Sequence, residues 1–348
     1  SRGVEKRDKV RTRVIAATLS DHIKASDKVM IMGHRNSDLD SIGSGVGIWA
    51  AVSKGIKKPA FVVVNKYQTL AMPLITSVSE AYPETRVFIS PQEALQEVTD
   101  KTLLIVVDTH SYSFVESPEL LNAAGSIVVI DHHRMMVTHI KNSIIFYHEP
   151  YASSTSEMVA ELVQYIDSAS IGNIDAQALL SGIMLDTKNF VLKTGVRTFE
   201  ASAYLRRRGA DTVQVKRLFS NSLATYREKS NLVGSSEIYR DCAIACDPDS
   251  TVNTRIAAAQ AADELLSIQG VKASFVLFRV NDDINISARS LGEINVQVIL
   301  ETFGGGGHLT MAGAQLDRVS MEEAKAALLD TLNEKLTVKT DTISGNRQ

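Results

Sequence analysis

Five short runs without a polar interruption recur along the first 130 residues: VMIM within residues 28–32, AFVVV at 60–64, VFI at 87–89, LLIVV at 103–107 and IVVI at 127–130. A strand with one face in water alternates apolar and polar side chains. A strand apolar at every position has both faces covered, the signature of a parallel sheet packed between helices. Helical spacing fills the intervals at 42–53, 70–80, 91–98 and 117–123, and returns at 155–167 and 175–184. Strands alternating with helices predict an α/β fold around a mainly parallel sheet.

Other segments frame this core. Residues 5–25 are charged, with Val10, Val14, Leu19 and Ile23 spaced as on one helical face, and read as a leading amphipathic helix. Ser154-x-x-Glu157 is a capping-box signature ahead of MVAELVQYI. A helix starting at Thr198 ends at Gly209, and the arginines 206–208 in its last turn read first as a solvated, dipole-complementing end. After about residue 235 the texture changes. Strand-like 242–246, helical 254–266, strands 273–280 and 284–288, a helix at 293–303 and a last helix at 321–335 describe a second, smaller α/β unit.

Composition narrows the function. With 348 residues, 44% hydrophobic and 22% charged, the chain can bury a large core and form two domains. A net charge of -3 argues against a binder of long nucleic acid but leaves room for small phosphate esters in a local pocket. Cys242 and Cys246 are the only cysteines, which excludes a disulfide framework and reads as two small apolar residues in a reducing, cytoplasmic setting. The longest uncharged stretch, 41–53, is too short to span a bilayer. The chain begins Ser-Arg, which reads as a portion of something longer.

The chemistry gathers where apolar runs stop. GHRNSDLD places His34, Asp38 and Asp40 just after the first run, and Asp108 follows the fourth. The fifth run opens into Asp131-His132-His133, and GIMLDT places Asp186 after another apolar stretch. Singly, an acid after a strand is a turn or cap residue. Four such segments in one chain are different, because the carboxyl ends of parallel strands line one crevice. Mixed carboxylate and imidazole donors without thiolate suit Mn²⁺, Mg²⁺ or Fe²⁺ better than structural zinc. The number of donors is enough for two ions, which together can activate water and clamp a phosphoryl group. His22, His110, His139 and His148 lack such a context and read as ordinary histidines, with His110 nearest the site.

FGGGGH, residues 303–308, is the second signal. Four glycines are poor structure formers and make sense where a backbone approaches a ligand and presents N–H groups to it. Arg289-Ser290, at the end of a strand, offers a fork of donors to a phosphate. GSGVGI at 43–48 is a poor dinucleotide fingerprint, and neither a Walker A sequence nor a G-x-S-x-G elbow is present.

Assembled, these motifs resemble the DHH/DHHA1 phosphoesterase family over about residues 28–335. The resemblance implies a larger mainly parallel-sheet DHH domain and a smaller α/β DHHA1 domain, with the active site in the cleft between them. Its boundaries would be a linker helix at 1–27, the DHH catalytic domain at 28–192, a helical linker at 193–234, the DHHA1 substrate domain at 235–338 and a disordered tail at 339–348. It implies two Mn²⁺ ions, replaceable by Mg²⁺, Co²⁺ or Fe²⁺. His34, Asp38 and Asp108 would hold one, and Asp40, Asp108, His132 and Asp186 the other, with Asp108 bridging. His133 would face the phosphate, Asp131 would orient the imidazoles, and Arg289, Ser290, Gly304, Gly305, Gly306, Gly307 and His308 would hold the nucleotide. N-S-D-L-D in place of P-D-G-D, with VVDTHS, VIDHHR and ASSTSE, looks more like the GdpP-type cyclic-di-AMP phosphodiesterases. That implies opening of cyclic di-AMP to pApA by in-line attack of a hydroxide bridging the ions, in the cytoplasmic portion of a membrane-anchored protein, with the leading helix available to pair subunits as a homodimer. A nanoRNase acting on short linear oligonucleotides is the enzymatic alternative, and a non-catalytic nucleotide sensor the alternative of another class.

Overall fold

Strands that are apolar on both faces need two layers of cover, and the first half of the chain supplies them. The computed structural model describes residues 8–337, and the chain divides after Ser220 into two units. The tail expected at 339–348 lies outside the described residues, as do residues 1–7 of the expected leading segment.

In the first unit the elements run α1 (Lys9–Ala25), β1 (Val29–Met32), α2 (Leu39–Ala50), β2 (Ala60–Val63), α3 (Met72–Ala81), β3 (Phe88–Ile89), α4 (Pro91–Glu97), β4 (Leu103–Val107), α5 (Pro118–Ala123), β5 (Ser126–Asp131), β6 (Ile145–His148), α6 (Thr155–Asp167), α7 (Asn173–Thr187), α8 (Val196–Arg207) and α9 (Thr212–Arg217). All five strand pairings are parallel, in the order β3-β2-β1-β4-β5-β6. Alternate residues of each strand enter different cores. Val29, Ile31, Leu103, Ile105, Val107, Val128 and Ile130 pack with α1, α2, α3, α6, α7 and α8. Met30, Met32, Leu104, Val106, Ile127 and Val129 pack with α4 and α5 on the other face.

The leading helix is integral to this core. Its Ala16, Leu19 and Ile23 are fully buried, and Thr12 meets the Tyr147 hydroxyl at 2.9 Å. Arg208 is not merely a solvated helix end: it donates to the carbonyls of Ile171 and Ala169 at 2.9 and 3.0 Å. Helices α8 and α9 also belong to the first unit, where Tyr204, Leu205 and Val215 are buried.

The second unit contains α10 (Leu223–Gly234), β7 (Glu237–Tyr239), β8 (Cys242–Asp247), α11 (Thr254–Leu265), β9 (Ala273–Val280), β10 (Asp283–Ser290), α12 (Val296–Glu301), β11 (Gly306–Gly307), β12 (Met311–Leu316) and α13 (Met321–Thr337). Its sheet runs β11-β12-β10-β9-β8-β7, antiparallel except between β8 and β9. Ile284, Ile286 and Ala288 of β10 face the core under α12 and α13. Val276 and Phe278 of β9 face α11 instead. Pairing of Ser287 with Val276 and of Asn285 with Phe278 puts the polar residues of β10 on that α11 face. No helix among the described residues is long and apolar enough to cross a membrane.

Candidate metal centre

Strand order locates the crevice. Chain connections leave β1 and β4 in opposite directions, so the two strand ends open a gap at the switch point, where ligands of doubly wound sheets bind. The turn after β1 and the residue after β4 flank that gap, and they carry His34, Asp38, Asp40 and Asp108.

Local structure aims each donor. Asp38 is the N-cap of α2, accepting from the backbone of Asp40 at 3.1 Å and Ser41 at 2.9 Å. The cap reading and the ligand reading hold together, since the same carboxylate lies 3.7 Å from His34 Nε2. Asp40, fully buried in the first turn of α2, accepts from the backbone N–H groups of Thr155 and Ser156 at 3.0 and 2.8 Å. The N-terminus of α6 thus grips one acid of the site with its orphan donors. Asp108 has a left-handed backbone, φ +63°. Aspartate tolerates this region better than most residues, and such strain clusters at functional sites.

Two donor sets result. His34, Asp38 and Asp108 offer ligand atoms within 4.8 Å of one another, and so do Asp40, His132 and Asp186. Asp108 links them: its Oδ2 is 3.2 Å from His34 Nε2, and its Oδ1 is 3.6 Å from His132 Nε2. His132 Nε2 is also 3.1 Å from Asp186 and 3.7 Å from Asp40. All six sequence candidates for metal ligation therefore lie in one connected cluster.

Three observations test a cation against these residues. His132 is buried, and neither of its ring nitrogens makes a hydrogen bond. Four carboxylates converge, and among the described residues no lysine or arginine pairs with any of them. Burial, reinforced by Asp108 and Asp186, pushes the Asp40 carboxyl well above its usual range. Burial also raises Asp186, with Asp108 and Asp38 adding to it against His132. Burial pulls His34 down, but Asp108 and Asp38 outweigh it and drive the imidazole up to about 12. His132 is likewise held well above its ordinary value, against burial, by Asp108 and Asp186. Conversely, burial would raise Asp108, but the imidazoles of His132 and His34 hold it well below the carboxylate range. Protons here do what divalent cations would do better, and the nitrogen–oxygen donor set suits a hard or borderline ion.

A supporting layer lies behind. Asp131, the last residue of β5, accepts from the backbone of His132 at 2.8 Å and of His133 at 3.2 Å, and pairs with His133 Nδ1 at 2.7 Å. Its other oxygen pairs with His110 Nδ1 at 2.5 Å. His110 Nε2 accepts from Met136 N at 2.9 Å, which fixes the proton on Nδ1. Sequence reasoning passed over His110, because nothing local marks a histidine whose partner is 21 residues away. His148 sits in the same layer, 2.5 Å from the His133 carbonyl. Thr155 and Ser156 were also unassigned, although ASSTSE contains them.

The remaining candidates lie in the second unit. Arg289 is buried, its Nε on Asp263 at 3.0 Å and its Nη1 on Ser287 at 3.1 Å. The Ser290 hydroxyl accepts from Gly292 N at 2.9 Å. The glycine run is needed by its own sheet: a Cβ at Gly305 would stand 2.3 Å from the Gly313 carbonyl oxygen, and one at Gly307 2.3 Å from that of Met311. His308 N donates to Met311 O at 2.6 Å.

Known proteins resemble this chain. Residues 28–183 match the family model for the DHH family, N-terminal domain, and residues 248–337 match the DHHA1 domain. The chain is 46% identical over 336 residues to cyclic-di-AMP phosphodiesterase PdeA of Listeria monocytogenes, covering 95% of this chain and 51% of that protein. It is 43% identical over 338 residues to cyclic-di-AMP phosphodiesterase GdpP of Bacillus subtilis, with the same coverage. The chain thus spans about half the length of these curated relatives. Among solved structures, an exopolyphosphatase-related protein from Bacteroides fragilis shares the fold with a TM-score of 0.77 at 21% identity, over 94% of this chain and 97% of that one. With its own Asp-His-His triplet closing β5, the chain belongs to the DHH family and carries a DHHA1 domain.

Proposed function

We propose that this chain is a manganese-dependent phosphodiesterase that hydrolyses cyclic di-AMP to linear pApA. The observation that carries the reading is the pair of donor sets joined through Asp108, and the activity of the relatives supports the substrate. His34, Asp38 and Asp108 would hold one ion, and Asp40, His132 and Asp186, with the second oxygen of Asp108, the other. Two such ions supply a nucleophilic water at neutral pH and offset the charge that grows on phosphorus-bound oxygens.

The protein's own groups do the rest. Asp40 is kept in place by α6 and cannot swing away when it ionises. Asp131 fixes the His133 ring through Nδ1, so that His133 meets the phosphate and assists the departing oxygen. In the second unit, Arg289, Ser290, residues 304–307 and His308 would bind the nucleotide. The charge complement is local, which is how a chain of net charge -3 would accept a dianion.

A turnover assay on cyclic di-AMP with Mn²⁺ titrated in and EDTA as control tests this reading. Accumulation of pApA is expected, with Asp108→Asn lowering turnover by more than about a hundred-fold, since even groups behind metal ligands are worth 10–100-fold. An untouched cyclic substrate, with short linear RNA degraded to mononucleotides, would replace this reading with the exonuclease one.

A further inference from the structure

Thr155, the first residue of α6, touches two acids of the centre that arrive on separate segments. Its backbone N–H donates to Asp40 Oδ2 at 3.0 Å, and its hydroxyl donates to Asp108 Oδ1 at 3.2 Å. Thr155 and Asp40 are fully buried and Asp108 is nearly so, which keeps solvent from replacing either bond. The local sequence explains the placement. Ser154 caps α6, its hydroxyl accepting from Glu157 N at 3.0 Å. The N–H groups of the first two helical residues have no intrahelical partner, and those of Thr155 and Ser156 both go to Asp40. A β-branched side chain has few rotamers, and the one adopted here puts Oγ1 on Asp108.

The two oxygens of Asp108 are not equivalent. Oδ2 faces His34 at 3.2 Å, on the side of the first donor set. Oδ1, which accepts from Thr155, faces His132 at 3.6 Å and His133 at 3.7 Å. The terminal torsion of an aspartate is broad, so its carboxylate turns unless something stops it. A carboxylate oxygen has two lone-pair directions. With one occupied by the hydroxyl, the other is left for the second donor set.

We propose that Thr155 is a positioning residue that sets the affinity of the second donor set for its ion, by holding Asp108 Oδ1 in register with Asp40. The inference rests on the two-ion reading above. Thr155 itself touches neither ion. The first set draws on His34, Asp38 and the other oxygen of Asp108, and among the described residues the Thr155 hydroxyl donates to none of these. One shared carboxylate is therefore restrained on one side only. Removing the hydroxyl loosens the oxygen that serves the second ion and leaves the oxygen beside His34 in place.

The test is Mn²⁺ binding to the whole chain without nucleotide, by calorimetry and electron paramagnetic resonance, for the wild type, Thr155→Val and Thr155→Ser. Valine keeps the branching and the backbone N–H on Asp40 and removes the hydroxyl, whereas serine keeps the hydroxyl. The wild type should take up two ions and show the spectrum of a magnetically coupled pair. Thr155→Val should bind the first ion as the wild type does and the second about 10–100-fold more weakly, the range for groups behind metal ligands. Its coupled spectrum should appear only at correspondingly higher Mn²⁺, and Thr155→Ser should restore both to near the wild-type values. Retained binding of the first ion also reports that the valine variant is folded. Equal weakening of both ions, unchanged binding of both, or a serine variant no better than valine overturns the proposal. If the second ion depends on Thr155 but the wild type does not hydrolyse cyclic di-AMP, the positioning role stands and the substrate reading falls. If the wild type hydrolyses it and Thr155→Val binds both ions normally, the reverse holds.

Discussion

At residue scale, the site is a set of groups whose protonation works against the cation. In the metal-free protein His34 is driven up to about 12, and His132 is raised in the same sense. For a histidine raised on folding, the stabilisation is complete below its unfolded value of about 6.5 and is lost as pH rises through the folded value. The metal-free fold therefore draws on these protonated imidazoles at neutral and acidic pH. A cation needs them neutral, so it must displace protons. Mn²⁺ binding should release at least one proton at neutral pH, measurable by calorimetry in buffers of different ionisation heat. The gain in melting temperature from Mn²⁺ should shrink between about pH 8 and about pH 6, since protons compete for the same donors. A gain that grows on acidification would show that these imidazoles are not ligands. The residues were legible where a run of apolar side chains ended in an acid or imidazole. His110 was not, because its role rests on Asp131 and Met136, which reach it only through the folded sheet.

At the scale of elements, α2 and α7 position opposite ends of the second donor set, Asp40 at the start of one and Asp186 at the end of the other. Their close approach depends on glycine. A Cβ at Gly43 would stand 2.3 Å from the Ala178 carbonyl oxygen, and one at Gly182 would meet Ser156 Oγ at 2.1 Å and Asp40 Oδ1 at 2.8 Å. Alanine in place of a helical glycine contributes about 1 kcal/mol of propensity. Forcing a methyl against fixed backbone costs about 1–3 kcal/mol, so overpacking wins at Gly43. Gly43→Ala should lower the melting temperature by a few degrees. Gly182→Ala should instead act on function: displaced Asp40 should weaken Mn²⁺ binding roughly tenfold or more, with far-ultraviolet circular dichroism unchanged. Full activity in Gly182→Ala would mean that Asp40 is not a ligand. Strands buried on both faces were readable because every position is apolar. β6 (IFYH), β7 (EIY) and β12 (MAGAQL) were not, since they are short, half-exposed or built of Ala and Gly, which carry little strand preference. The glycine run was read as a ligand loop, and its packing against β12 was invisible until the strand was in place.

At the scale of the whole molecule, four acids gathered without lysine or arginine make the metal-free first unit less stable than it could be. Asp186 is the most instructive of them, because burial and its acidic neighbours raise it and its side chain is partly open. Asp186→Asn removes a charge that is costly in the metal-free state. The variant should melt higher than the wild type in EDTA and gain little from added Mn²⁺, whereas the wild type gains as any protein does from a ligand bound only when folded. A variant that melts lower in EDTA and gains as much from Mn²⁺ would remove Asp186 from the site. Such a trade of stability for function is common where like charges must be stored.

The strand order has a consequence for synthesis. The donors are spread from residue 34 to residue 186, and β1, central in the sheet, waits for β4, made some seventy residues later, to complete one side of the crevice. A nascent chain therefore cannot complete the second donor set, which needs Asp186, until α7 has left the ribosome. Premature termination before Asp186 would leave a polypeptide whose second donor set lacks its last acid and whose core lacks the end of α7, a species that chaperones and proteases would meet as unfinished.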